Sequence, residues 1–149
     1  MDWVAKSRAL FAVEKPEHFT NYEHCDECAE HDATLRQHDR ESIGIEELGN
    51  PAWDPICFCQ DIGMHYYLPA FIRLSLDTMS EDFYLEQFLF HLTIDGRENS
   101  FYVSCNRPQR RFIADFLAFL LEEFPDKIEL AFCGDDLLNA YEIWSESES

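Results

Sequence analysis

Residues 108–124 constrain this chain more than any other stretch. Pro108 stands at the start, Pro125 closes it, and Ile113, Phe116, Leu117, Leu120 and Phe124 fall on one stripe at helical spacing. A proline fits the first helical turn but not the interior, so the two prolines bracket one long helix whose apolar stripe must be buried. A second such pattern covers residues 81–93, where Leu85, Phe88, Leu89 and Leu92 repeat at i, i+3, i+4, i+7 behind Glu81 and Asp82.

Weaker patterns predict further helices over 2–15, from Glu23 to about Arg36, over 42–48, from Pro69 to Leu76, and from about Asp135 to Trp144. Between them, Ile56-Cys57-Phe58-Cys59 and Met64-His65-Tyr66-Tyr67, separated by the turn-like Asp61-Ile62-Gly63, predict a small β-hairpin near residues 56–67. The expected fold is mainly α, a single-domain helical fold with that hairpin. The globular domain spans 1–144, and a Ser/Glu tail over 145–149 is frayed.

The chain has 149 residues and a formal net charge of -19, yet 46% of its residues are apolar and 15% aromatic. That aromatic content supports a real core, which acidic disordered chains lack. Residues 1–22 are neutral, and the excess is spread as -7, -6 and -6 over 23–50, 51–100 and 101–149. A field of this sign repels phosphate backbones, so no nucleic-acid partner is expected; high solubility is the first reading of the charge and a basic protein partner the second. No apolar run approaches the roughly 20 residues a bilayer span needs, so no membrane partner is expected. Without a secretory pattern in residues 1–13, the expected location is cytoplasmic, and the six cysteines read as free thiols or metal ligands in preference to disulfides. A homo-oligomer is compatible with all of this.

The segment with chemistry in it is His24-Cys25-x-x-Cys28-x-x-His31. Thiolate and imidazole are the ligands zinc prefers, and a C-x-x-C turn brings two thiolates to one ion. The candidate metal ligands are therefore His24, Cys25, Cys28 and His31, with zinc as the cofactor they suit. At about 100° per residue a helix would put His24, Cys28 and His31 on one face, with the two histidines roughly 10 Å apart along the axis. A helical site would then use Cys28 with one histidine and draw on Cys57, Cys59 or His65, whereas a looped site would pair Cys25 with Cys28. A buried Cys28 packing as a small hydrophobe, with histidines at the rim, explains the same residues without a metal. Thiol or imidazole catalysis is the remaining reading. Arg73 reads as a surface arginine, and Arg107, Arg110 and Arg111 read as salt-bridge partners. No phosphate-cradling glycine loop, G-x-S-x-G, H-E-x-x-H or EF-hand loop is present.

The stretch from Lys15-Pro16-Glu17-His18-Phe19-Thr20 through His24-Cys25-Asp26-Glu27-Cys28-Ala29-Glu30-His31-Asp32, with Gly49-Asn50-Pro51-Ala52-Trp53-Asp54-Pro55 and Tyr66-Tyr67-Leu68-Pro69-Ala70-Phe71-Ile72-Arg73-Leu74, resembles a family of small bacterial proteins of unknown function with an HCxEC motif near the N-terminus. The resemblance implies a bacterial cytosolic protein and carries no catalytic residue over. The reading that follows is a non-enzymatic interaction or binding protein, with a small zinc-binding domain and a thiol or imidazole enzyme as alternatives.

Overall fold

The computed structural model describes residues 1–145. It is 69% helical, and among the described residues there is no strand. The mainly α expectation therefore stands and the hairpin does not. Two local choices remove it. Asp54 caps a 3-10 turn over Pro55–Phe58 by accepting a hydrogen bond from the Ile56 N–H at 2.9 Å, which coils the first expected strand. The second expected strand lies inside a helix, Asp61–Asp77, whose residues 63–72 are all buried. A helix buried on every side shows no polar face, so its short apolar runs look like strands in sequence. Pro69 sits in its interior, where it removes one backbone hydrogen bond, and not at its start.

The chain divides into two compact units, Met1–Leu76 and Asp77–Ser149. The first holds α1 (Trp3–Leu10), α2 (Asp26–Gln37), the short α3 (Ile45–Leu48) and nearly all of α4 (Asp61–Asp77). Phe11, Phe19, Leu35, Ile43, Leu48, Tyr67 and Phe71 are fully buried in it. The Tyr67 hydroxyl donates to the Leu35 and His38 carbonyls at 2.6 and 3.0 Å, tying α4 to the end of α2. Gly63 is required where α4 passes the loop before it: a Cβ there would lie 2.5 Å from Cys59 Sγ and 2.8 Å from Phe19 Cδ1. Arg73 is half-buried and not a free surface cation, because its Nη2 donates to the Ile43 and Arg40 carbonyls at 2.6 and 3.2 Å.

The second unit contains α5 (Leu85–Thr93), α6 (Ser100–Ser104), α7 (Arg107–Glu123), α8 (Pro125–Leu130) and α9 (Gly134–Ser145). Here the stripes behave as the spacing predicts. Phe88, Leu92, Ile113, Phe116, Leu117 and Leu120 are fully buried, and α9 packs against both α5 and α7. Trp144 is buried in that core, and its indole N–H donates to the Leu92 carbonyl at 3.0 Å. The Arg107–Arg111 cluster divides. Arg110 lies over the Tyr102 ring at 4.0 Å and donates to the Tyr102 carbonyl, while Arg111 pairs with Asp115 one turn on. No described helix is long and apolar enough to cross a membrane. Beyond Ser145, the expected tail lies outside the described residues.

Candidate functional site

Helix α2 starts at Asp26, three residues later than the pattern suggested, because Cys25 caps it. Cys25 is extended (φ -165°, ψ 170°), and its Sγ accepts the Cys28 N–H at 3.3 Å. Serine or aspartate is the usual residue for that task, and here a thiol performs it. The same geometry brings Cys25 Sγ to 3.3 Å from Cys28 Sγ, and His24, just outside the helix, puts its Nδ1 3.7 Å from Cys28 Sγ. One ligand atom from each of His24, Cys25 and Cys28 lies within 4.8 Å of the other two. The site is the looped arrangement, with His24 added to it by the turn that precedes the helix.

Access and electrostatics split the two thiols. Cys25 is exposed and Cys28 is 7% exposed. The Cys25 thiol is brought down to about 7 by hydrogen bonds from the Cys28 backbone and side chain, with a further one from His24. The Cys28 thiol is pushed up by sharing its hydrogen with Cys25 and by burial. Glu23, Asp26 and Glu30 are exposed around the pair, and no lysine or arginine lies between residues 16 and 35.

His31 is not part of this cluster. It is fully buried, with its ring 4.7 Å from Phe58 in a stack and 4.5 Å from Trp53. Its Nε2 faces Glu27 Oε2 at 3.4 Å, and its Nδ1 has no hydrogen-bond partner. Neither Cys57 nor Cys59 comes within ligand distance of the trio. Burial pushes the Cys59 thiol up, and burial together with the Asp54 charge pushes Cys57 up to about 11. His65 is also apart from the cluster: it is buried against the Phe11 ring, and desolvation lowers its basicity.

Sequence reasoning missed the support beneath the cluster. Asp32, 2% exposed, sits one turn after Cys28 and clamps the 18–20 segment onto α2. Its Oδ1 accepts the Phe19 and Thr20 N–H groups at 2.6 and 3.1 Å, and its Oδ2 pairs with His18 Nδ1 at 2.7 Å. Burial alone would raise this carboxyl, but those hydrogen bonds outweigh it and hold Asp32 below the usual carboxylate range. Thr20 Oγ1 donates to the Cys28 carbonyl at 2.7 Å, and Tyr22 stacks on His18 at 3.8 Å. The signal was present: Cys28 and Asp32 are four apart, hence neighbours on one helical face.

Residues 5–146 match a family model described as a family of unknown function (DUF6714), and the chain belongs to that family. No curated protein and no solved structure matches the chain. The match assigns no role to any residue, and it neither names a source organism nor marks the His24-Cys25-Cys28 motif.

Proposed function

We propose that this member of the family is a small metal-binding protein that takes one soft divalent ion, zinc foremost, on His24 Nδ1, Cys25 Sγ and Cys28 Sγ. The observation that carries the reading is the closeness of three donor atoms of the types zinc prefers. At ordinary zinc–ligand bond lengths, tetrahedral ligands lie about 3.8 Å apart for two sulfurs and about 3.6 Å for sulfur and nitrogen. The separations of 3.3 and 3.7 Å need only side-chain adjustment to meet those values. The rigid Thr20 and Asp32 contacts hold the helix turn that bears Cys28, which supports a preformed site. His31 has no part in it. His24 and Cys25 are exposed, so a further ligand would come from water or a partner's side chain.

Elemental analysis of protein purified without added metal, followed by competition with a chromophoric chelator, tests the reading. One zinc per chain is the expected result, and it disappears in Cys25→Ser and Cys28→Ser. Cobalt(II) should give the intense visible absorption of a tetrahedral thiolate site. A chain that takes up neither ion stoichiometrically sinks the proposal.

The charge of -19 supports a second reading, non-enzymatic binding of a basic protein partner. Such binding would weaken steeply with salt. Native pull-down at low ionic strength that recovers no basic protein, or one whose binding ignores salt, counts against it.

A further inference from the structure

We infer that, free of metal, Cys25 and Cys28 act as a dithiol that reduces external disulfides, with a preference for cationic ones. This goes beyond metal binding and uses the same side chains in a different state. The asymmetry of the pair carries it. Cys25 is an exposed residue that a disulfide can approach, while Cys28, a residue 7% exposed, holds its Sγ 3.3 Å from Cys25 Sγ. Disulfide bonding requires the sulfurs to close to about 2.05 Å. Rotation of the exposed Cys25 side chain supplies that approach, since the cap sits outside the helix proper. His24 Nδ1, 3.7 Å from Cys28 Sγ, is placed to take the proton of the buried thiol.

The steps balance. Cys25 thiolate attacks one sulfur of R–S–S–R, forming Cys25–S–S–R and releasing RS⁻. Cys28 gives its proton to His24 Nδ1 and attacks Cys25 Sγ, which expels the second RS⁻ and closes the Cys25–Cys28 disulfide. The protons lost by the two cysteines end on the two departing thiols. The protein dithiol is oxidised by two electrons, and the external disulfide is reduced to two RSH.

Charge sets the substrate class. Glu23, Asp26 and Glu30 are exposed beside Cys25, Glu27 is half-buried, and the 16–35 segment holds no lysine or arginine to offset them. The nearest cation in sequence, Lys15, is tied to the Arg36 and His38 carbonyls at the far end of α2. An anionic disulfide is repelled on approach and a cationic one is drawn in.

The test uses the full chain, reduced and treated with chelator, against cystamine, hydroxyethyl disulfide and oxidised glutathione, which are cationic, neutral and anionic. Each rate is divided by that of 2-mercaptoethanol with the same disulfide, which removes intrinsic reactivity. The expected result is a loss of about 2 Da on the peptide holding Cys25 and Cys28, with no lasting mixed disulfide. The normalised rate for cystamine should exceed that for oxidised glutathione by about tenfold or more at low salt, and the gap should shrink at high salt. Cys28→Ser should instead trap the mixed disulfide on Cys25. A persistent mixed disulfide in the unmodified chain, reaction at Cys57 ahead of Cys25, or rates indifferent to charge overturns the inference. Because metal is absent throughout, a chain that binds no zinc yet closes this disulfide leaves the inference standing, and a zinc-binding chain that fails here loses it alone.

Discussion

His24 and His31 flank Cys28, four residues before it and three after, and the fold uses them in opposite ways. His24 is exposed in the turn before α2 and points a ring nitrogen at Cys28. His31 is fully buried one turn further on, packed against Trp53 and Phe58 with one nitrogen unpartnered. The difference lies in what each packs against. The turn around His24 has solvent on its outer side, whereas the 3-10 turns over Pro51–Trp53 and Pro55–Phe58 cover the face that carries His31. Identical residue types thus become a neighbour of the thiols in one place and a packing element in the other.

That contrast can be broken most decisively at the metal. Replacing Cys25, Cys28 or His24 should weaken zinc by about a thousandfold, a third of a typical structural zinc energy. His31→Leu should change it by less than about threefold, as read by chelator competition. A comparable loss in both would place His31 in the site.

The next largest effect separates two exposed thiols. Cys25 titrates near about 7 and Cys57 near about 11, so at pH 7 Cys25 is about half thiolate and Cys57 almost wholly protonated. After allowance for the lower nucleophilicity of the more acidic thiol, iodoacetamide should label Cys25 about a hundredfold faster. The Cys25 rate should rise with pH and level off above about 8. Mass spectrometry of the metal-free chain checks both statements, and equal labelling removes the asymmetry.

Stability changes come third. Asp32→Ala leaves two buried backbone N–H groups and His18 without their acceptor, at a cost of about 3 kcal/mol in denaturant unfolding. The Asp32 carboxyl is held below the ordinary value of about 3.9. Its stabilisation is therefore complete above that pH and is lost as pH falls through the folded value, and the variant should lack this part of the acid dependence. His31→Ala should cost about 2–3 kcal/mol through the cavity it leaves. The smallest effects sharpen the contrast. His31→Leu removes the orphaned nitrogen and should stay within about 1 kcal/mol, and the exposed His24→Ala within about 0.5 kcal/mol.

Legibility followed the same division between exposed and enclosed. In the second unit a one-sided apolar stripe specified α5 and α7, because one face met the core and the other met water. In α4 that contrast vanished, and burial on all sides made a helix resemble a strand. At the site, the spacing of Cys25 and Cys28 was legible because a C-x-x-C turn fixes their proximity by local geometry. The exclusion of His31 was not, since only the covering Trp53 and Phe58, more than twenty residues away, remove it from reach.

By itself, then, the sequence determined what depends on neighbours along the chain: the mainly helical class, the acidic field and the pairing of Cys25 with Cys28 that a C-x-x-C turn offers. Only the tertiary structure decided what depends on distant packing. It chose helix over hairpin at residues 61–67 and put Asp32 beneath the cluster as its clamp. It also buried His31 against Trp53 and Phe58, away from the thiol pair. Local geometry is set by bonds and steric limits within a few residues, but burial is set by which surfaces meet, and no spacing rule records that.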